Sequence, residues 1–477
     1  MRVWEVVIVA SLAAFVMWPS VTGQPRRPYG WVPIIAALGA LLLHIRTEEL
    51  RWQLYPIYAV VGVVAVATAW EILLPSPVSP EPPPSRWSQL GKALGGVFGL
   101  VLLTLPAVAL PVVEVAAPPT PVGTILVRSV SADRIEVYGP DPGGPRQIAL
   151  QVWYPAADND GPSAPFVDAF DRFGPAAAGH LGFPSFTLNH LKNATMGSAQ
   201  GVRPAPATSP WPVVVYSHGW TGFRTVAFNE AETLAANGYV VVAIDHTYGA
   251  LGTTIDDGAT FAAVDPAALP DLETVGDVAY AAASEVLVDT FRLDIAEAMD
   301  VIEALDAGSA GDGLLEGRLD VAHMGLFGHS TGGGAAIEFC AGDDRCAAVY
   351  GLDPWVEPVD ELVITAGLDV PMAALRSEEW LSEPNEVPLA ALFDSSVNAS
   401  PLRCISGTAH RDFTLLPRLS PLSRYLGIGG SLDPLRSSAL VEAQLVSFFD
   451  AHLKGTGDGM AGLDAPEIAN CGLVAAR

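Results

Sequence analysis

Apolar residues are concentrated at the start of the chain, where they form four runs at 6–18, 31–45, 56–74 and 93–113. A helix that spans a membrane needs about 20 mostly apolar residues and rarely fewer than about 17. The last two runs meet this length, whereas the first two reach it only with their flanking residues. The pattern predicts a membrane region over residues 1–115 with about four transmembrane helices.

The first apolar run has a second interpretation. Arg2, the apolar core that follows and the small residues before Gln24 also fit a cleaved signal peptide. Four spans would place both ends of the membrane region on the same side of the membrane, and three would place them on opposite sides. Because further apolar runs follow at once, we favour a retained span.

After about Thr124 the pattern changes to short apolar strands that alternate with amphipathic helices. Strands are predicted at 146–154, 212–216, 239–244, 323–327, 346–352, 370–375 and 402–406, and helices at 228–236, at 288–305, from 331 onward and at 438–454. Continuous apolar runs such as 212–216 are typical of parallel strands buried on both faces. Residues 116–477 are therefore predicted to form an α/β domain, a mostly parallel sheet covered by helices on both faces.

Three longer stretches interrupt this alternation, at 156–210, 247–272 and 412–436. They are too long to be simple connections between neighbouring elements. We expect them to form the walls of a pocket or a lid over it.

The strongest chemical signal is the sequence Gly328-His329-Ser330-Thr331-Gly332. A serine between small residues, after an apolar strand and before a helix, lies on a tight turn that exposes its hydroxyl group. This arrangement is typical of the α/β-hydrolase fold. Ser330 is therefore predicted to be a catalytic nucleophile.

A serine nucleophile needs a base and an orienting acid, which in this fold follow it in the order Asp or Glu, then His. Only His410 and His452 follow Ser330. His452 lies on the apolar stripe of the last predicted helix, so we expect it to pack there. His410 follows a strand and precedes a loop, as a catalytic base should.

The orienting acid should lie between the two, at the carboxyl end of a strand. Asp353 directly follows the predicted strand 346–352, whereas Asp343 and Asp344 precede that strand and are expected to be solvated turn residues. We therefore predict the triad Ser330, Asp353 and His410.

The negative oxygen that forms during acyl transfer needs two preorganised N–H donors. One is expected to be the backbone N–H of Thr331, the residue after the nucleophile. The other should come from the loop after the strand 212–216, which reads Ser217-His218-Gly219-Trp220. The backbone N–H of Trp220 is the candidate.

Charge separates the two regions and excludes one class of partner. The net charge is −27, of which residues 1–115 contribute +1 and the remainder −28. Nucleic acids bind basic surfaces, so a nucleic-acid partner is not expected. The chain also has no GxxxxGK[ST] phosphate loop and no HExxH zinc motif. No metal or cofactor is expected, and the oligomeric state is not predicted.

All four cysteines follow the membrane region: Cys340, Cys346, Cys404 and Cys471. An even number in one domain fits two disulfides in an oxidising compartment, with Cys340 paired to Cys346 and Cys404 to Cys471. Four buried free thiols are the alternative. Together with a slight excess of basic residues in the predicted inner loops, the cysteines favour a multi-pass membrane protein whose catalytic domain lies on the extracytoplasmic side.

Several motifs together resemble the plasma-type platelet-activating factor acetylhydrolase family over roughly residues 121–455. They are VVVYSHGWTGFRT at 213–225, YVVVAIDH at 239–246, GHSTGGG at 328–334, LDPW at 352–355 and GTAH at 407–410. The resemblance implies an esterase that needs no calcium and removes short or oxidised sn-2 acyl chains from phospholipids. It implies the same triad and the same oxyanion donors. The membrane region lies outside the resemblance, and Thr331 is polar where many members carry a larger apolar residue.

These observations predict a membrane-embedded serine carboxylic-ester hydrolase that acts on lipid esters. Three alternatives remain open: a broad-specificity lipase or cutinase-like polyester hydrolase, a non-catalytic membrane protein that retains the fold for binding or sensing, and an acyltransferase. The acyltransferase is favoured only if water is excluded from the acyl-enzyme. The complete triad in the expected chain order disfavours the non-catalytic alternative.

Overall fold

The structure of the chain is a computed structural model that describes residues 1–22, 29–74, 85–113, 115, 117–382, 384–459 and 464–470. The described residues fall into two compact units. The first comprises residues 1–112 with Leu419–Leu422, and the second comprises residues 113–418 with the described residues from Ser423 onward.

The first unit contains four apolar helices: α1 (Val3–Thr22), α2 (Val32–Thr47), α3 (Tyr55–Leu73) and α4 (Arg86–Ala109). By length and composition, α1, α3 with the preceding turn from Trp52, and α4 are long enough to cross a membrane. Helix α2 has 16 residues and is shorter. The structure thus contains apolar helices at each of the four predicted runs, and three of them have membrane-spanning length among the described residues.

A buried polar cluster ties these helices together at one end of the unit. Arg51 lies just before α3 and binds the Glu5 carboxylate of α1 at 2.6 Å, and it also donates to the Leu110 carbonyl after α4 at 3.1 Å. His44 near the end of α2 lies 2.7 Å from the Tyr58 hydroxyl of α3. The chain therefore enters α1 and leaves α4 at the same end of the unit.

The second unit is an α/β structure. Its strands are β1 (Val122–Ile135), β2 (Pro145–Pro155), β3 (Ser163–Pro165), β4 (Thr195–Gln200), β5 (Trp211–Ser217), β6 (Val240–Asp245), β7 (Gly252–Ile255), β8 (Thr260–Ala263), β9 (Leu319–His329), β10 (Cys346–Leu352), β11 (Met372–Ser377), β12 (Arg403–Ile405) and β13 (Ile468–Asn470). Its helices are α5 (Phe170–His180), α6 (Phe228–Ala236), α7 (Leu272–Val275), α8 (Asp277–Asp306), α9 (Thr331–Cys340), α10 (Glu361–Ala366), α11 (Glu386–Ser395) and α12 (Pro434–Leu453).

Eleven strands form one sheet in the order β13-β12-β11-β10-β9-β5-β6-β2-β1-β4-β3. The strands from β12 to β6 are parallel to their neighbours, whereas β2 and β13 pair antiparallel. Side chains of the central strands and of α8, such as Val215, Val242, Phe291 and Ile302, form one apolar core. The predicted mostly parallel sheet covered by helices is confirmed.

The predicted elements of the sheet centre agree with the structure, and the differences lie at its edge. The helix at 228–236 and the strand at 346–352 have the predicted bounds. The stretch 156–210 is predicted to form pocket walls or a lid, and no strand is predicted in it. In the structure it contributes β3 and β4 to the sheet edge, where β4 pairs with the unpredicted β1. Only four of the 14 residues of β1 and three of the six residues of β4 are buried, so their apolar pattern is weak.

One of the two predicted disulfides lies within the described residues. Cys340, the last residue of α9, is bonded to Cys346, the first residue of β10. The prediction of this disulfide is confirmed. The second predicted pair, Cys404 with Cys471, lies outside the described residues because Cys471 does.

Buried carboxyl groups on α6 make the second unit sensitive to alkaline pH. Burial, with repulsion from Glu442, raises the pKa of Glu230 from 4.5 to about 8. Burial also raises the pKa of Glu232 to about 7, although its carboxylate accepts the Ser198 N–H at 2.6 Å. A raised pKa in the folded state favours folding while the group keeps its proton, so this stabilisation is present at acid pH and lost as pH rises through about 8.

We predict that Glu230→Gln raises the apparent unfolding temperature of the full chain at pH 8.5 and changes it little at pH 5, because glutamine resembles the protonated carboxyl group. Thermal unfolding in detergent at several pH values measures this difference. Glu273→Gln, at an exposed position on α7, is the matched control and should have no effect at either pH. An equal effect of Glu230→Gln at both pH values would contradict the prediction.

Candidate active site

The predicted site residues come from neighbouring strands whose carboxyl ends meet at one edge of the sheet. Ser217 ends β5, Ser330 follows β9, Asp353 follows β10 and Ser377 ends β11. These four strands are adjacent and parallel in the sheet. Ligands and catalytic groups gather at such an edge in open α/β sheets. His410 joins them from the turn after β12.

Ser330 lies on a sharp turn between β9 and α9. Its φ of 54° and ψ of −122° are unusual for a residue other than glycine. The glycines around it allow a close approach of the backbone: a Cβ on Gly332 would lie 2.2 Å from the Ser217 carbonyl oxygen, and a Cβ on Gly328 would lie 2.3 Å from the Gly332 oxygen. Such strain is tolerated where the surrounding structure determines it, which is common at functional sites.

Asp353 and His410 form a direct hydrogen bond. The Nδ1 atom of His410 lies 3.0 Å from Oδ2 of Asp353. Asp353 is buried, with a φ of 44°, and its carboxylate also accepts the Ser377 backbone N–H at 2.7 Å and the Ser377 hydroxyl. Three donors therefore fix the carboxylate and orient the imidazole, as the acid of a triad does.

Hydrogen bonds connect the Ser330 turn to the residues on either side of Asp353 and to the backbone of His410. The Ser330 N–H donates to the Leu352 carbonyl at 3.1 Å, and the Trp355 N–H donates to the Ser330 carbonyl at 2.9 Å. Nε2 of His329 lies 3.0 Å from the His410 carbonyl oxygen. Burial, together with the neighbouring His410, holds the pKa of His329 well below its usual value, so the His329 ring is neutral and donates this bond.

The two residues predicted to supply the oxyanion donors are in contact. The Trp220 N–H donates to the side-chain oxygen of Thr331 at 3.3 Å. The carbonyl of the same peptide unit, that of Gly219, accepts His218 Nδ1 at 2.7 Å and the Gly222 N–H at 2.8 Å. Because a trans peptide is planar, holding its carbonyl from one side points its N–H to the opposite side.

The tautomer of His218 follows from its contacts. Its Nε2 accepts the backbone N–H of His246 at 3.3 Å, and a backbone N–H can only donate. The proton of the ring therefore lies on Nδ1 and is donated to Gly219. Burial, with the neighbouring His246, lowers the pKa of His218 to about 3, so this arrangement persists over the whole physiological range.

A second, fully buried chain of hydrogen bonds lies behind this loop. The Ser217 hydroxyl lies 2.8 Å from Nε2 of His246, and Nδ1 of His246 lies 3.0 Å from Asp294, whose carboxylate also binds Arg146 at 2.6 Å. The residue types are those of a catalytic triad, but all four side chains are buried. Since no substrate reaches them, this chain supports the loop that carries the Trp220 N–H.

The structure brings the five predicted site residues to one place: Ser330, Asp353, His410, Trp220 and Thr331. Their catalytic roles stay predictions. The other candidates lie elsewhere: Asp343 forms an ion pair with Arg345, and His452 packs against Phe448 on α12.

The supporting residues were missed in the sequence, although some left a signal. Asp294 is a charged residue on the apolar stripe of α8, between Phe291 and Ile295. Ser377 ends the strand next to the one that precedes Asp353. Both positions are unusual enough to suggest a buried polar partner, but neither identifies that partner.

A mostly parallel eleven-stranded sheet, with a serine on the turn between β9 and α9, defines the α/β-hydrolase class. A ferulic acid esterase from Streptomyces cinnamoneus has a similar structure, with a TM-score of 0.59 and 25% sequence identity over 75% of this chain and 98% of the esterase. The likeness agrees with an esterase fold for the second unit.

Sequence comparison identifies the family. The sequence model of platelet-activating factor acetylhydrolase, isoform II, matches residues 144–460, which is more than half of the chain. The platelet-activating factor acetylhydrolase of Cavia porcellus is 24% identical over 321 residues, covering 64% of this chain and 72% of the relative. That of Bos taurus is 24% identical over 331 residues, covering 64% and 71%. The chain belongs to the platelet-activating factor acetylhydrolase isoform II family and is a carboxylic-ester hydrolase.

We predict that His218→Leu lowers kcat by about 10-fold to 100-fold with little change in KM, because the Gly219–Trp220 peptide loses the bond that orients its N–H. The kinetics of a soluble short-chain ester measure this effect. His218→Asn is the matched variant, since its amide nitrogen lies close to the position of Nδ1, and it should recover most of the lost kcat. Equal losses in both variants, with unchanged unfolding temperatures, would contradict this role of Nδ1.

Proposed function

We propose that this enzyme hydrolyses carboxylic esters with Ser330 as nucleophile, His410 as general base and Asp353 as the acid that orients it. The observation that carries the proposal is the 3.0 Å contact between Asp353 and His410 beside the Ser330 turn. The backbone N–H groups of Trp220 and Thr331 are proposed to hold the oxyanion. Their neighbouring positions support this role.

The proposed reaction follows from this geometry. The Ser330 hydroxyl attacks the acyl carbonyl carbon and gives its proton to Nε2 of His410, while the two N–H groups stabilise the oxyanion. The intermediate then breaks its bond to the alcohol, which leaves with the proton from His410. Water attacks the acyl-enzyme in the same way and releases the acid. Asp353 keeps the imidazole in the tautomer that accepts the proton at Nε2.

In this structure, the Thr331 hydroxyl occupies the acceptor position of the Trp220 N–H. Its oxygen stands where a substrate oxyanion would take the same bond. A bound substrate must therefore displace this contact by a rotation of the Thr331 side chain. The polar residue at this position thus gives the Trp220 N–H an acceptor within the protein.

The substrate class is proposed to be lipid esters, with release of short sn-2 acyl groups from phospholipids. The family and the names of the relatives from Cavia porcellus and Bos taurus support this class. A broader ester hydrolase is the second candidate, and the likeness to a ferulic acid esterase over 98% of that enzyme favours it.

We further propose that residues 1–115 form the membrane region, with about four spans, and that residues 116–477 form the catalytic domain on the extracytoplasmic side. Three helices of membrane-spanning length support membrane embedding. The Cys340–Cys346 disulfide supports an oxidising compartment. A membrane tether suits an enzyme whose substrates are dissolved in the bilayer.

We predict that Ser330→Ala lowers the hydrolysis of every ester by at least about a thousand-fold, because the nucleophile is lost. The full chain in detergent is assayed with a short-chain nitrophenyl ester, a phospholipid with an sn-2 acetyl group and a phospholipid with two long chains. Cleavage of the first two supports the phospholipid proposal, and cleavage of the nitrophenyl ester alone supports the broader hydrolase. A fully active Ser330→Ala variant would exclude the proposed nucleophile.

We predict that Cys340 and Cys346 are disulfide-bonded in cells, because the domain is exported. Cells are quenched in acid, and denatured protein is alkylated with and without prior reduction. Mass spectrometry should find both cysteines alkylated only after reduction. Alkylation without reduction would place the domain in a reducing compartment and contradict the proposed side of the membrane.

A further inference from the structure

The imidazole of His410 is in contact with two other rings. The indole of Trp380 is stacked on one face, with ring centroids 3.8 Å apart and an angle of 1° between the planes. The neutral imidazole of His329 lies near the ring as well, with centroids 4.5 Å apart and an angle of 34°. The parallel stack with Trp380 restricts rotation of the His410 imidazole about its Cβ–Cγ bond.

The segment that carries Trp380 is bonded to the turn that carries His410. The Glu379 carboxylate accepts the backbone N–H of His410 at 2.8 Å, and the Glu378 carboxylate accepts that of Gly407 at 2.5 Å. The Glu379 N–H in turn donates to the Thr408 carbonyl at 3.3 Å. These bonds fix the position of the base relative to residues 378–380.

The backbone carbonyl of Trp380 is held by a buried ion pair. The guanidinium of Arg376 donates to the Trp380 carbonyl at 2.9 Å and pairs with the Glu386 carboxylate of α11. Arg376 is only 1% exposed. The indole is therefore placed on His410 by a fixed backbone rather than by chance contact of two surface side chains.

We infer that Trp380 is a positioning residue for the general base, and that its indole face stabilises His410 in the protonated form that arises during the reaction. The inference rests on the proposed role of His410. A cation on the face of an indole ring is attracted by the electrons of the ring, and tryptophan is the best of the aromatic residues in this respect. Proton transfer from Ser330 creates such a cation against the Trp380 face.

The stack also keeps both nitrogens of the His410 ring in the orientations that the proposed reaction needs. With the plane of the imidazole fixed, Nδ1 stays on Asp353 and Nε2 stays on the side where a proton is transferred. His329 does not oppose the charge because burial keeps it neutral. The titratable groups around the His410 ring and its turn are Asp353, His329, Glu378, Glu379, Arg411 and Asp412. Substitution of Trp380 leaves all of them in place.

The test compares Trp380→Leu, which removes the aromatic face, with Trp380→Phe, which keeps one. The dependence of kcat/KM on pH is measured on the full chain in detergent, with a soluble short-chain ester. The acid limb of this profile reports protonation of the base in the free enzyme. In Trp380→Leu we expect the acid limb to move about 0.5 to 1 pH unit lower and the plateau to fall about 3-fold to 10-fold, whereas Trp380→Phe stays close to wild type.

Tyr425→Leu is the control, because it removes an exposed aromatic ring that contacts the cationic side chain of Arg424. Its profile should match wild type. A Trp380→Leu variant that loses activity equally at every pH, with an unmoved acid limb, would show a merely structural role and overturn the inference. So would equal profiles for the two Trp380 variants. The proposed function fails separately, if Ser330→Ala or His410→Asn retains activity.

Discussion

The candidate site depends on the close approach of the turn after β9 to the end of β5. A Cβ on Gly332 would lie 2.2 Å from the Ser217 carbonyl, and a Cβ on Gly219 would lie 2.8 Å from the Cβ of Ser330. The turn after β9, including the Ser330 side chain, is therefore in direct contact with the backbone that follows β5. Any side chain at these glycines would force the loop with the Trp220 N–H away from Ser330, and would separate the proposed nucleophile from this proposed oxyanion donor.

Buried polar groups hold this contact in place. Asp294, His246 and Ser217 form a chain in which each polar atom named has a partner, and Arg146 balances the charge of the aspartate. A buried polar network is costly when partly satisfied and rigid when fully satisfied. Buried charged residues thus hold the loop that carries Trp220, at a place in the second unit where apolar residues would otherwise pack.

The sequence predicted the residues whose signal is local and missed those whose role depends on distant neighbours. Ser330 lies in a short motif between a strand and a helix, and the chain order then restricts the base to His410 or His452. Trp380 gave no such signal, because only the folded chain places residue 380 over residue 410. The same reason hid the bond between His329 and His410.

Strands and helices with a strong local pattern were likewise predicted, and those with a weak pattern were missed. The strands buried on both faces, such as β5 and β6, read as continuous apolar runs and were predicted. The strands β1 and β4 near the sheet edge alternate only weakly, since only four of 14 and three of six of their residues are buried, and they were missed. Helix α2 shows the limit of counting apolar residues: its 16 residues are apolar enough but short.

One consequence concerns how such an enzyme can change over evolutionary time. The proposed nucleophile and the proposed orienting acid both belong to the continuous segment from β9 through α9 to Asp353, and the disulfide at the α9–β10 connection closes its middle. The proposed base, in contrast, lies on a separate turn, whose backbone is hydrogen-bonded to Glu378 and Glu379. Loops that belong neither to these two pieces nor to residues 217–222 can then differ in length between lineages, so different esters can be accepted while the segments that carry Ser330, Asp353 and His410 are retained.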